Sequence, residues 1–141
     1  MTDLEEIAGP FVLAISILRR RLRQLPVDDG VTLPEMTALV RLDRGGPQTG
    51  SALAKAEQIS PQSMGATIAT LEDKGLIERA PDPADGRRIV LSLTDAGSDV
   101  VRRKRAVRTK QLADVLATLD PADVELLRAA TPAIERLAEA L

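Results

Sequence analysis

The sequence predicts a mainly α-helical chain carrying one small β-hairpin, and three observations lead there. Helix-opening residues recur along the middle of the chain, each followed by apolar residues at three/four spacing. Two β-prone runs, Leu76-Ile77-Glu78-Arg79 and Arg88-Ile89-Val90-Leu91-Ser92-Leu93, flank a stretch dense in turn residues. Long apolar stripes at helical spacing stand at both ends of the chain.

The first segment is an amphipathic helix through Leu4, Ile7, Ala8, Phe11, Ile15, Leu18, Leu22 and Leu25. Pro10 lies inside this pattern, so the helix either kinks there or begins at Gly9-Pro10. Pro26, Asp28, Asp29 and Gly30 make a loop. Thr32 then caps a helix running to about Arg44, with Pro34 in its first turn and Gly45-Gly46-Pro47 ending it. A two-turn helix through Leu53, Ala54, Ala56 and Glu57 is capped by Thr49 or Ser51. Ser60-Pro61 pairs an N-cap with a first-turn proline, opening a third helix through Met64, Ile68 and Leu71 to Lys74. Gly75 is its natural stop. Only Gln58 and Ile59 separate the second and third of these helices, which is helix-turn-helix spacing.

The hairpin follows directly, with Ala80-Pro81-Asp82-Pro83-Ala84-Asp85-Gly86-Arg87 at its tip, and a hairpin in that place is a wing. Thr94 caps a long helix to about Leu119. In its middle Arg102, Arg103, Lys104, Arg105, Arg108 and Lys110 point in nearly every direction, the mark of a solvated stretch bridging two lobes. Asp120-Pro121 opens a last helix with Leu127, Ala130, Ile134, Leu137 and Leu141 in one stripe, bent by Pro132. The predicted organisation is therefore residues 1–30 as an N-terminal dimerisation helix, 31–94 as a winged helix-turn-helix, and 95–141 as a linking helix plus a C-terminal dimerisation helix. One copy of the terminal helices is a thin layer, so a homodimer that buries both stripes about a two-fold axis is the expectation. The competing arrangement folds them back on the central domain of the same chain.

Composition removes whole classes of chemistry. The 141 residues contain no His, Cys, Trp or Tyr, and Phe11 is the only aromatic. Disulfides, cysteine nucleophiles, thiolate or imidazole metal sites and histidine acid–base catalysis are excluded. Aromatic platforms for stacking single-stranded nucleic acid are absent as well. No acidic residues form a spaced constellation with a nucleophile or phosphate loop, so no enzyme and no cofactor are expected. The net charge is −2, and residues 1–30, 31–94 and 95–141 hold four, seven and eight basic against five, eight and eight acidic side chains. Any contact with nucleic acid must rest on a few placed charges. Phe11–Leu18 is too short for a membrane span, which needs roughly 18 apolar residues. Acidic residues precede it and arginines follow, the reverse of a signal peptide, so the chain reads as cytoplasmic.

The order of helix, three-helix unit, wing, long helix and helix resembles the MarR family of bacterial transcriptional regulators over nearly the whole chain. The most specific part is Leu76-Ile77-Glu78-Arg79 leading to Asp82-Pro83-Ala84-Asp85-Gly86-Arg87-Arg88 and then Leu91-Ser92-Leu93-Thr94, which looks like the family's wing signature. Ser60-Pro61-Gln62-Ser63-Met64 and Leu71-Glu72-Asp73-Lys74-Gly75-Leu76 look like its recognition helix and exit.

The resemblance implies a homodimer on a pseudo-palindromic operator in double-stranded DNA, acting as a repressor where operator and promoter overlap. A small-molecule effector bound between the lobes changes the spacing of the two reading helices. The recognition-helix candidates are Ser60, Gln62, Ser63, Met64, Thr67 and Thr70, with Met64 able to serve a thymine methyl or the core. On the wing, Asp85, Arg87 and Arg88 are the candidates. Arg87 suits a narrow minor groove, and the resemblance implies that Asp85 holds its guanidinium; otherwise the two make an ordinary surface pair. Strand alternation can turn Arg88 away from the duplex. Backbone N–H groups at the helix starts near Thr32, Thr49 and Ser60 can take phosphates, and the Arg102–Lys110 cluster is either a further phosphate contact or a solvated face.

One departure stands out. The family often places Arg or Lys where this chain has Ala66 and Thr70, so base readout falls to amide, hydroxyl and methyl groups. Thiol-oxidation and zinc sensing, known in the family, are excluded here by composition. The alternative function is a winged-helix interaction module with weak or lost DNA binding.

Overall fold

The structure is a computed structural model describing residues 1–27 and 30–141. The predicted loop at Asp28 and Asp29 lies outside the described residues. Six helices and one hairpin follow in order: α1 (Asp3–Gln24), α2 (Leu33–Gly45), α3 (Gly50–Glu57), α4 (Pro61–Asp73), β1 (Ile77–Pro81), β2 (Ile89–Leu93), α5 (Asp95–Leu116) and α6 (Pro121–Ala140). They divide into two compact units, Pro26–Ala106 and the combination of Met1–Leu25 with Val107–Leu141. The boundary cuts α5 between Ala106 and Val107, inside the stretch Arg102–Lys110 that is polar on all sides.

Caps decide where the helices begin. Thr2 and Glu5 form a reciprocal capping box, the Thr2 N–H donating to Glu5 Oε2 at 2.7 Å and the Glu5 N–H to Thr2 Oγ1 at 3.3 Å. The first helix therefore starts at Asp3 and runs through Pro10, not from Gly9-Pro10. Pro10 has no N–H to offer the Glu6 carbonyl four residues back, and the helix is exposed at both residues. Thr32 and Glu35 repeat the capping box at α2, and Thr49, not Ser51, caps α3 by accepting from the Ala52 N–H at 3.1 Å. At the far end of the long helix, the Thr118 and Leu119 N–H groups reach back three residues to Val115 and Leu116, so regular α-helix stops at Leu116.

The core lies wholly in the central unit. Met36, Leu39, Leu42, Leu53, Met64, Ile68, Leu71, Leu76, Ile77, Leu91, Val100 and Val101 are buried together, drawn from α2, α3, α4, the hairpin and the start of α5. The strands pair antiparallel, Ile77 opposite Leu93 and Pro81 opposite Ile89. A one-residue third strand joins them, as Gln48 exchanges both backbone hydrogen bonds with Leu91 at 3.1 and 2.7 Å. Thr94 ties the junction of the wing to α5. Its hydroxyl donates to the Gly75 carbonyl at 2.6 Å and accepts from the Gly97 N–H at 3.1 Å, while its own N–H reaches the Leu76 carbonyl at 3.1 Å. Gly97 presses on that knot: a Cβ there would lie 2.1 Å from the Leu76 carbonyl oxygen.

The terminal unit has a different character. Neither α1 nor α6 buries a single residue, and Leu4, Ile7, Val12, Leu13, Leu126 and Leu137 stand exposed along them. α6 continues through Pro132 to Ala140.

Candidate nucleic-acid interface

α3, the turn and α4 are held by few interactions, each with a clear cause. The turn needs one residue in the left-handed region, and Gln58 supplies it at φ 56° and ψ 40°. The Gln58 and Ile59 N–H groups close the turn onto the carbonyls of Lys55 and Ala54 at 3.2 and 3.1 Å. Arg41 on α2 braces the end of α3, pairing with Glu57 and donating to the Ala56 carbonyl at 3.2 Å. Ser60 then opens α4, its Oγ accepting the Ser63 N–H at 3.1 Å and donating to Ser63 Oγ at 3.0 Å, with Pro61 in the first turn.

Packing fixes which side of α4 looks outward. Met64, Ile68 and Leu71 form its buried face. Met64 is only 2% exposed, so it is a core residue and is removed from the set of base-contacting candidates. Its spacing with Ile68 and Leu71 puts it on the same side of the helix as both, in the cluster that also holds Leu39 and Leu53. At 100° per residue the opposite crest consists of Gln62, Ala66, Ala69 and Asp73, all exposed. Exposed Ser63 and half-buried Thr70 line one flank of that crest, and half-buried Thr67 lies closer to the core. The Thr67 and Thr70 hydroxyls donate to the carbonyls of Ser63 and Ala66 at 3.2 and 3.1 Å, so their protons are spent inside the helix.

An ion pair between a buried carboxylate and a partly exposed lysine anchors the other end of α4. Lys74, at its C-cap, donates to Glu35 Oε2 at 2.7 Å and to the Gly30 carbonyl at 3.0 Å. Glu35 also accepts the Thr32 N–H at 3.1 Å and is 6% exposed. Burial pushes the Glu35 carboxyl up, but the Lys74 hydrogen bond and charge, together with the Thr32 donors, outweigh it and hold the group below its ordinary value of 4.5. Gly75 follows in the left-handed region at φ 70°, turning the chain into β1. Arg79 on β1 reaches back to Glu72 on α4 at 2.7 Å, a second tie between helix and wing.

The wing tip is organised by its own carboxylates. Asp82 accepts the Ala84 N–H at 2.9 Å, and Asp85 accepts the Arg87 N–H at 3.1 Å. The Arg88 N–H donates to the Asp85 carbonyl at 3.0 Å, and the Arg88 carbonyl accepts from Asp82 at 2.8 Å. In place of the expected pairing with the Arg87 guanidinium, the structure shows Asp85 contacting the Arg87 backbone through one carboxylate oxygen, an Asx turn at 85–87. Among the described residues no ion pair engages Arg87 or Arg88, and both are exposed. Arg88 lies in the turn, with β2 starting at Ile89, so strand alternation does not decide its direction.

A family model described as "MarR family" matches residues 31–89, from just before the α2 cap to the first residue of β2. An HTH-type transcriptional regulator of Mycobacterium bovis is 38% identical over 88% of this chain and 87% of its own length. The chain belongs to the MarR family. An HTH-type transcriptional repressor of Mycobacterium tuberculosis is 33% identical over 64% of this chain and 65% of its own length. In fold, the MarR-family chain is similar to a crystal structure from Pseudomonas aeruginosa PA01 with a TM-score of 0.80, 30% identity, and coverage of 99% and 98% of the two chains. It is similar also to a Staphylococcus aureus MepR mutant solved bound to an oligodeoxyribonucleotide, at a TM-score of 0.66, 20% identity, and coverage of 93% and 98%.

This is a MarR-family transcriptional regulator. Several residues that build its site lack an individual sequence signal. The Thr32-x-x-Glu35 spacing is a capping-box pattern, but Lys74 as the third member comes 39 positions later and only the fold joins them. Gln48 gives no strand signal because a one-residue strand has no periodicity to detect. Ala69 carries no polar group to attract notice.

Proposed function

We propose that this MarR-family regulator acts as a homodimer that grips a pseudo-palindromic operator in double-stranded DNA and represses transcription from it. The observation that carries this reading is the pairing of two exposed features on one hydrogen-bonded frame. The outward side of α4 carries Gln62 on its crest and Ser63 on the flank at its N-terminal end, and the hairpin tip displays Arg87 and Arg88, which have no ion-pair partner among the described residues. In this reading α4 enters the major groove, where Gln62, Ser63 and Thr70 face base edges, with Thr67 and the Ser60 cap against the backbone. Arg87 enters the adjacent minor groove, Arg88 takes a phosphate, and Asp85 presents both by shaping the turn.

Support for a dimer comes from the terminal unit, whose long amphipathic helices α1 and α6 contain no fully buried residue within one chain. The domain roles follow: residues 31–94 read DNA, and residues 1–30 and 95–141 join the two copies. The role is non-enzymatic and needs no cofactor, in keeping with the regulators to which the chain is similar. Such a regulator works where the chromosome is, in the cytoplasm. A small-molecule effector that favours a wrongly spaced dimer releases the operator.

Fluorescence anisotropy with a duplex from the gene's own upstream region tests this. Tight binding that weakens steeply with salt is expected, and Arg87→Ala should weaken it by about 5- to 100-fold while leaving the oligomeric state unchanged. An interaction module without DNA affinity shows no binding even at low salt, and that result refutes the proposal.

A further inference from the structure

We infer that the half-site read by α4 is rich in A·T pairs, with Gln62 pairing to an adenine and the methyl groups of Ala66 and Ala69 resting on thymine methyls. The inference rests on the DNA-binding reading above and concerns which sequence the surface fits.

The outward crest has little to offer base edges. Gln62, Ala66, Ala69 and Asp73 lie along it, spaced four, three and four residues apart. No cation stands on the exposed side of α4; its charged residues are Glu72 and Asp73, and the Lys74 ammonium is turned inward onto Glu35 and Gly30. The common guanine contact, a bidentate Arg or Lys to O6 and N7, is therefore unavailable from this helix. Thr67 and Thr70 have tied their hydroxyl protons to the helix backbone and cannot donate to guanine O6 or N7 either.

Two polar side chains remain at the N-terminal end. Ser63 accepts from Ser60 and keeps its own proton for a contact outside the helix. The Gln62 amide forms no hydrogen bond among the described residues, and one donor beside one acceptor matches the N7 acceptor and N6 donor of adenine. Beyond Gln62 the crest is alanine for two turns. Small side chains let the helix backbone approach the groove floor, and there the apolar group on offer in the major groove is the thymine methyl. Asp73, eleven residues and about 16 Å beyond Gln62, bears a negative charge that keeps the C-terminal end of the helix off the phosphates.

The test is selection of the full chain on a duplex pool with a randomised 30-bp centre, at about 0.1 M salt, followed by anisotropy on the enriched duplex. Enrichment of two A·T-rich half-sites in inverted repeat is expected. Replacing a half-site thymine by uracil removes only the methyl group and should weaken binding by about threefold per contacted base. Changing the paired adenine to guanine should cost about 5- to 100-fold, and Gln62→Ala should abolish that preference at one base pair per half-site without changing the melting temperature. Enriched half-sites dominated by G·C pairs, or indifference to uracil together with an unchanged base preference in Gln62→Ala, overturn the inference while leaving the DNA-binding reading in place. Absence of any enrichment and of salt-sensitive binding overturns both.

Discussion

The two units of this chain solve the problem of burying apolar surface in opposite ways. Between Pro26 and Ala106, helices of 13, 8 and 13 residues are enough, because each aims a stripe at a shared centre: Leu39 and Leu42 from α2, Leu53 from α3, Met64, Ile68 and Leu71 from α4. In the terminal unit, helices of 22 and 20 residues bury none of their own residues. Length and amphipathicity therefore do not predict burial within one chain. The unit that holds α3, α4 and the wing has its own buried core, and the unit with the longer stripes leaves apolar side chains exposed.

Truncating one side chain in each unit gives the largest contrast. Leu71 is 0% exposed at the centre of the cluster, and Leu71→Ala should lower the unfolding free energy by about 2–5 kcal/mol, read by chemical denaturation. Leu126, 68% exposed on α6, should change the stability of an isolated chain by no more than about 0.5 kcal/mol when replaced by Ala. Equal effects from the two substitutions remove the contrast between the units.

A second experiment probes how α4 is anchored. Lys74→Met leaves the Glu35 carboxylate buried with only its Thr32 donors, at a cost of about 1–3 kcal/mol near neutral pH. Because the Glu35 pKa is lowered on folding, its contribution is fully present above the unfolded value of 4.5 and fades as pH falls through the folded value. The gap between wild type and Lys74→Met should therefore narrow in acid. A gap that stays constant across that range means that Glu35 does not carry the charge assigned to it.

The smallest effect belongs to the turn. Gln58 sits in the left-handed region, where a side chain costs about 1–2 kcal/mol, and glycine gives back part of that through its freer unfolded state. Gln58→Gly should raise the stability of the central unit by up to about 1 kcal/mol. A melting temperature that drops instead means the Gln58 side chain does more than occupy its turn.

How much of this was legible beforehand follows from how local each determinant is. Ser60-Pro61, Thr32-Pro34 and the Gly75 stop are local signals, and the helices they delimit lie where the sequence puts them. The wing is local as well, except that Arg88 belongs to its turn and not to its second strand. What depends on distant partners was not legible. Met64 reads equally as a groove or a core residue until its burial in the shared cluster is seen. The Asp85 contact to the Arg87 N–H is a turn feature that spacing alone does not reveal. The Lys74–Glu35 clasp and the approach of Gly97 to the Leu76 carbonyl join segments that only the fold brings together. On α4, the sequence supplied the polar residues, whereas the alanine crest between them needed the packing to show which side faces out.

The most direct test of the account is the number of copies in solution and on DNA. Sedimentation velocity on the full chain, alone and with a duplex from its gene's upstream region, should give a species of two copies and then two copies per duplex, with Leu18→Glu on the exposed apolar stripe of α1 shifting the free protein toward monomer. A single copy at every concentration, binding no duplex, contradicts it.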